Sequence, residues 1–377
     1  MKKEKLDKNL ITKVSSLSHA HKLTVIVRAH DFERLKNYLH SKKIEVKNEY
    51  LFINSFCISV NRSELDALTH LSQVEFIYSM AYASALMHVA KKVLGVTDTN
   101  LTGRGVSIAF IDTGISRHLD FMLGEKRIIH FKDFINDKQS PYDDNGHGTF
   151  VSGVCCGSGA RSSGKFCGIA PSANIVSLKA LNAGGEATAD KILDAMEWVY
   201  ENHQKFGIKI VCMSFGSEPL GFNDPIMSGA ESLWRAGVTV VAAAGNSGPE
   251  FQTIKSPGVS SRIITVGGFD DNRLDDENFN QQFFEVAPFS SRGPAFQRFK
   301  PDLVAPSVDI TSCGLKSPYT TLSGTSVATP MIAGMVALML EREPNLSPDE
   351  IKRRLLSRCK AITFNRNLEG LGYPVFE

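Results

Sequence analysis

An α/β fold, with a parallel sheet flanked by helices on both faces, is predicted for residues 91–377, preceded by a small α+β domain. Three features of the sequence predict it. Short, continuous apolar runs alternate with amphipathic helical stretches, the pattern of βαβ units and of strands buried on both sides. Several of those runs end in short polar or glycine-rich stretches. The segment before them follows the order β-α-β-β-α-β, a split βαβ arrangement that by itself names no function.

Taken in order, Leu23–Ala29 alternates apolar and polar residues and reads as a strand. Asp31 caps a helix carrying Phe32, Leu35, Tyr38 and Leu39 on one face, with Glu33 in its first turn. Ile44–Tyr50 and Ser55–Val60 read as strands around a turn near Asn54, Ser63 as the cap of a helix from Glu64 to Leu71, and Val74–Tyr78 as a closing strand. Ser79–Ala85 is small and aperiodic and reads as a linker open to cleavage. Beyond it, strands are predicted at Gly105–Ile111, Asn174–Ala180, Ile208–Ser214, Val238–Ala244 and Ile263–Gly267, with helices near Ala187–His203 and Pro225–Ala236. Three of these strands end at Asp112-Thr-Gly, Ser214-Phe-Gly and Gly245-Asn246-Ser-Gly. In parallel sheets, sites gather at such carboxyl ends.

Length and composition narrow the classes. A chain of 377 residues can bury one large core and a smaller one. Its 42% apolar and 22% charged content is that of ordinary soluble domains. A net charge of +2 gives no electrostatic ground for a nucleic acid or membrane partner, and none is expected. The basic N-terminus is not followed by an apolar signal core, so the expected location is the cytoplasm, or outside the cell by export without a signal peptide. Seven irregularly spaced cysteines, mostly in apolar runs, read as reduced thiols. Cys155, Cys156 and Cys167 lack a second Cys or His pair at zinc spacing, and no metal site is assigned to them.

The chemistry gathers around four positions. Ser326 follows the small-residue turn Ser323-Gly-Thr325 and opens the apolar helix Met331–Leu340, with Pro330 placed in the first turn, where the N–H groups have no partners. A hydroxyl there lies beside free N–H groups and the positive end of the helix dipole. Read alone, such a cluster is more often just an N-cap. His147 stands between glycines at another helix start, Asp143-Asp-Asn-Gly-His-Gly-Thr149, where its ring is free to turn to a partner. Asp112, at the end of a buried strand, needs a donor, and an imidazole N–H is one. Asn246 offers an amide to a developing oxyanion.

Asp112-Thr-Gly, His147-Gly-Thr, Ala244-Gly-Asn246 and Gly324-Thr-Ser326-Val-Ala-Thr-Pro resemble the four signature blocks of the subtilisin-like serine proteases. The order Asp, His, Ser is that of subtilisin. Pro141-Tyr-Asp-Asp-Asn-Gly-His-Gly, Ser290-Ser-Arg-Gly-Pro294 and Lys300-Pro-Asp-Leu-Val-Ala-Pro306 look most like the AprX-type bacterial members. The resemblance implies a serine endopeptidase of proteins or peptides: Ser326 the nucleophile, His147 the base, Asp112 its orienting partner and Asn246 in the oxyanion hole. It places Ser214, Phe215 and Gly216 along the substrate backbone, with Gly184 and Gly185 facing them. Phe215 stands where the family commonly has leucine, and reads either as a pocket wall or as core packing.

The same resemblance makes residues 21–82 a ferredoxin-like prosegment that acts as an intramolecular inhibitor, between an N-terminal extension (1–20) and a linker (83–95). Self-cleavage is expected near Tyr82 and Ala83. The catalytic domain is expected over 96–360, with a tail at 361–377. The chemistry calls for no cofactor. Structural calcium, which the resemblance makes an open expectation elsewhere in the chain, is not expected at the loop 157–166, which lacks the carboxylates of a common calcium-binding loop of secreted relatives. Val327 and Met331 replace the methionine and histidine usual at those positions.

Overall fold

Residues 2–6, 10–11, 22–79, 87–97, 99–122, 126–272 and 280–376 are described by a computed structural model. The chain divides into two compact units, Met1–Ala83 and Ser84–Glu377. In the first, β1 (Leu23–Ala29), β2 (Glu45–Tyr50), β3 (Ser55–Val60) and β4 (Val74–Ser79) form an antiparallel sheet in the order β2-β3-β1-β4. Helices α1 (Phe32–Ser41) and α2 (Arg62–Thr69) complete it. Val25, Val27, Leu35, Leu39, Phe56 and Ile58 are among the buried residues that give it a core of its own. Asp31 does cap α1, accepting from Arg34 N–H. The cap of α2 is Asn61, however, and not Ser63. Asn61 Oδ1 accepts from Glu64 N–H at 2.9 Å while Glu64 accepts from Asn61 N–H at 2.8 Å. A capping box requires the cap and the glutamate to be three residues apart, which leaves Ser63 inside the first turn.

The second unit is built on an eight-stranded sheet. Its strands are β5 (Ser107–Asp112), β6 (Ile128–Asp133), β7 (Asn174–Lys179), β8 (Ile208–Met213), β9 (Thr239–Ala243), β10 (Ile264–Asp270), β11 (Glu285–Val286) and β12 (Leu303–Pro306). The order is β11-β10-β9-β8-β5-β7-β6, with β12 also paired to β10. All pairings are parallel except that of β11, so the sheet is mixed at one edge rather than wholly parallel. Every residue of β5 and β9 is buried despite the alternation of side chains along a strand, which requires cover on both faces. That cover comes from α3 (His147–Cys156), α4 (Ala189–Phe206), α5 (Pro225–Arg235) and α6 (Thr325–Arg342), with α3 against α6 and α4 against α5.

Helix α6 runs buried from Val327 to Leu340. It begins at Thr325, because Gly324 takes φ +153°, open to glycine. Pro330 is therefore the sixth helical residue and not part of the first turn. Lacking an N–H, it cannot bond the carbonyl four residues earlier, which is that of Ser326. Next in the chain before α6 is a hairpin, β13 (Ile310–Cys313) and β14 (Tyr319–Leu322), that leads straight into the Ser326 turn. At the C-terminus, β15 (Cys359–Lys360) pairs with β16 (Tyr373–Pro374), and Phe376 N–H donates to Leu94 O.

Candidate active site

Asp112 closes β5 at the centre of the sheet and is almost wholly buried. Its Oδ1 accepts from Thr113 N–H at 2.7 Å and faces His147 Nδ1 at 2.8 Å. His147 is the first residue of α3, after Gly146 at φ +106°, and its side chain keeps 26% exposure. Burial works against a charge on the ring. The Asp112 carboxylate outweighs it, by charge and by hydrogen bond, and Asp143 adds to it, so the imidazole pKa is raised above its ordinary value. With Nδ1–H held by Asp112, Nε2 is left as the basic atom.

The spacing of these two side chains is itself built. Asp143 Oδ1 accepts from Thr113 Oγ1–H at 2.9 Å and from Gly146 N–H at 2.8 Å, and its Oδ2 accepts from Thr149 N–H and hydroxyl. Thr113 Oγ1 in turn accepts from Gly148 N–H at 2.8 Å. The end of β5 and the start of α3 are thus bolted together on either side of the Asp112–His147 bond.

Ser326 lies in the first turn of α6 and is half-buried. A Cβ at Gly324 would sit 3.2 Å from both Ser326 Oγ and Asn246 Nδ2, so hydroxyl and amide converge on a residue that leaves room for them. The amide has one orientation: its Oδ1 accepts from Thr325 N–H and from Thr325 Oγ1–H, both at 2.9 Å. Its NH2 is thereby turned to the Ser326 side. Among the described residues, Ser326 Oγ and His147 Nε2 share no hydrogen bond; in ligand-free sites such contacts are often long.

A buried carboxylate on a partly open imidazole, beside a serine and an amide at a helix start, is a hydrolase constellation. The profile of Peptidase S8, the subtilase family, matches residues 103–373. The chain belongs to the subtilase family. It is 40% identical over 347 residues to serine protease AprX of Bacillus subtilis (strain 168), covering 83% of this chain and 76% of that protein. Subtilisin Savinase of Lederbergia lenta is 34% identical over 273 residues, 72% of this chain and 89% of the relative. Among solved structures, Sphericase superposes with a TM-score of 0.63 at 28% identity, over 76% of this chain and 97% of that one. This subtilase is a subtilisin-like serine endopeptidase, and its substrates are proteins or peptides.

Ser214 is buried and Gly216 exposed just past the end of β8, and Phe215 is half-buried with its ring against the main core. Gly184, exposed, and Gly185, half-buried, lie in a turn in which Asn182 Oδ1 accepts from Gly184 N–H, and Asn145 Nδ2 donates to Ala183 O. That turn therefore adjoins the His147 loop. Tyr82 and Ala83 lie outside the described residues.

A calcium ion does not fit the loop at 157–166 in this subtilase. The carboxylate that holds this loop, Asp120, is fully buried and takes hydrogen bonds from four donors. It accepts from Gly159 N–H, Arg161 N–H, Tyr319 OH and Cys313 Sγ–H. His118, with Asp120 and Cys313 in one cluster, accepts from Asp120 N–H and donates to Pro318 O. A hard cation needs oxygen lone pairs, and these are spent. The thiols Cys155, Cys212 and Cys313 are buried and their pKa values pushed up by that burial, which leaves them unreactive.

Two supporting groups are not legible in the sequence. Thr325 sits inside the nucleophile block and Asp143 inside the histidine block, yet nothing in their spacing says that one orients Asn246 and the other ties β5 to α3. The one available signal was the position of Asp143 four residues before His147, ahead of a helix start.

Proposed function

We propose that Ser326, His147 and Asp112 act as a catalytic triad and that the enzyme is made as a self-processing zymogen. Ser326 Oγ attacks the scissile carbonyl as its proton passes to His147 Nε2. Asp112 holds the other ring nitrogen and stabilises the imidazolium. The oxyanion accepts from Asn246 Nδ2 and from Ser326 N–H. Collapse breaks the C–N bond as His147 returns the proton to the leaving amine. Water then repeats the sequence on the acyl-enzyme, with His147 again as base. The substrate backbone pairs as an added strand along Ser214–Gly216. The 2.8 Å contact between Asp112 and His147 is the observation that carries the reading, because it fixes which nitrogen remains basic.

The first unit, a β-α-β-β-α-β fold with its own core, supports a prosegment reading for residues 21–82, with an inhibitory role and cleavage near Tyr82–Ala83. Comparison of wild type with Ser326→Ala tests both parts. Casein hydrolysis should fall by about five to six orders of magnitude in the variant, and N-terminal sequencing should find the wild type shortened and the variant whole. Casein turnover retained by Ser326→Ala removes the triad, and wild type that stays full length under active conditions removes the processing step.

A further inference from the structure

β8 and β9 are neighbours that run parallel, and their carboxyl ends carry Ser214–Gly216 and Ala244–Asn246. A crevice at the carboxyl ends of adjacent parallel strands is where an open α/β sheet takes its ligand. A peptide paired along Ser214–Gly216, with its reacting carbonyl at Ser326 and Asn246, directs the side chain on the acyl side of the scissile bond into that crevice. The chain crossing the crevice is Lys255–Ser256. Lys255 N–H donates to Ala244 O at 2.9 Å, and Ser217 and Ser256 exchange backbone bonds at 2.9 Å each.

The Lys255 stem runs between two facing glycines. A Cβ on Gly216 would lie 2.5 Å from Lys255 Cβ, and a Cβ on Gly245 would lie 2.5 Å from Lys255 Cγ. Any side chain at either position would displace the lysine. Its ammonium ends on Glu218, whose side chain is 80% exposed against 18% for Lys255. The charge is therefore sheltered on the crevice side and paired on the solvent side with a carboxylate that water already surrounds.

We propose that Lys255 is the specificity-determining residue of this crevice, binding the carboxylate of a glutamate side chain on the acyl side of the scissile bond, with Glu218 as the counter-ion that glutamate displaces. The proposal rests on Ser326 and Asn246 being the reacting pair. An ammonium has three donors, and Glu218 takes one of them. An exposed ion pair is weak and readily exchanged. An apolar side chain in the crevice would strip water from the ammonium without replacing its hydrogen bonds, and a lysine or arginine would meet like charge.

The test uses the full enzyme and fluorogenic peptides that differ only at that residue: glutamate, glutamine, methionine or lysine. Wild type should prefer glutamate to lysine in kcat/KM by about tenfold or more. Lys255→Met should lower the glutamate-to-methionine ratio by about tenfold or more. Glu218→Gln, a change at an exposed side chain, should move the ratio of glutamate to glutamine upward by removing the competitor. Raising the salt should shrink the wild-type preference. Equal cleavage after lysine and glutamate, or an unchanged ratio in either variant, overturns the proposal. Labelling of Ser326 by a small fluorophosphonate, which carries no amino-acid side chain, separates the two levels. Labelled enzyme without a glutamate preference sinks the role of Lys255 alone, and enzyme that takes no label and cuts no peptide sinks the nucleophile assignment and this proposal together.

Discussion

Thr325→Val isolates what holds the oxyanion donor in place. Thr325 is buried, and valine keeps its shape but not its hydroxyl. Two bonds fix Asn246 Oδ1, from Thr325 N–H and Thr325 Oγ1–H at 2.9 Å each, and the substitution removes the second. A neutral hydrogen bond contributes about 0.5–1.5 kcal/mol net. If that is lost from the orientation of the amide in the transition state, kcat falls about 2- to 13-fold, with KM within about twofold because the ground-state carbonyl draws little on the donor. Gly245 N–H also loses its acceptor, 3.2 Å away, so the melting temperature drops whether or not the amide is present. The assay is a double-mutant cycle on a peptide amide. Asn246→Ala alone should cost about 10²–10³ in kcat, the magnitude established for this kind of donor in subtilisin. In that background Thr325→Val should cost nothing more in kcat, since no amide remains to orient. Full additivity of the two kcat losses would refute the reasoning.

Other outcomes follow from the same geometry. Because His147 acts as a base and its pKa is raised, kcat/KM should rise with pH through a value above the ordinary imidazole figure of about 6.5, and Asp112→Asn should move that limb downward in a pH–rate profile. The stability effect has the opposite sense. The Asp112–His147 attraction contributes fully below about pH 6.5 and is lost as pH climbs through the raised folded value, so the melting-temperature gap between wild type and His147→Ala should be widest in acid. Val327, buried beside the nucleophile, offers no thioether to oxidise, and peroxide should inactivate the enzyme slowly; rapid loss of activity without cysteine modification would contradict this. Asp120→Asn puts an amide donor against four hydrogen-bearing partners and should destabilise the fold by roughly 3 kcal/mol. Calcium should not restore it, and a melting curve rescued by calcium would mean that an ion belongs there.

The central strands were legible because they are short, unbroken apolar runs, and Ser107–Asp112 and Thr239–Ala243 lie within a residue or two of where the sequence puts them. Strand β6 was hidden: Ile128-Ile-His-Phe-Lys-Asp is an edge strand with only its first and last residues buried, and His130 and Lys132 interrupt its apolar run. β12 was hidden by the prolines around it. The place of Pro330 in the helix is not legible in the sequence, because the helix start is decided by Gly324, whose φ no spacing reveals. At the site, the residue types that do chemistry stand in short blocks and can be read directly. What orients them cannot, because those bonds join distant parts of the chain: Thr325 reaches Asn246 across 79 positions, and Asp143 reaches Thr113 across 30. The wedge of Lys255 between Gly216 and Gly245 is likewise a product of two strand ends meeting in the fold.

The most direct test of the account is the identity of the nucleophile. Wild-type enzyme treated with a serine-directed phosphonate and mapped by mass spectrometry should carry one adduct, on Ser326, in proportion to the casein-hydrolysing activity lost. An adduct on another residue, or full inactivation with Ser326 unmodified, would contradict it.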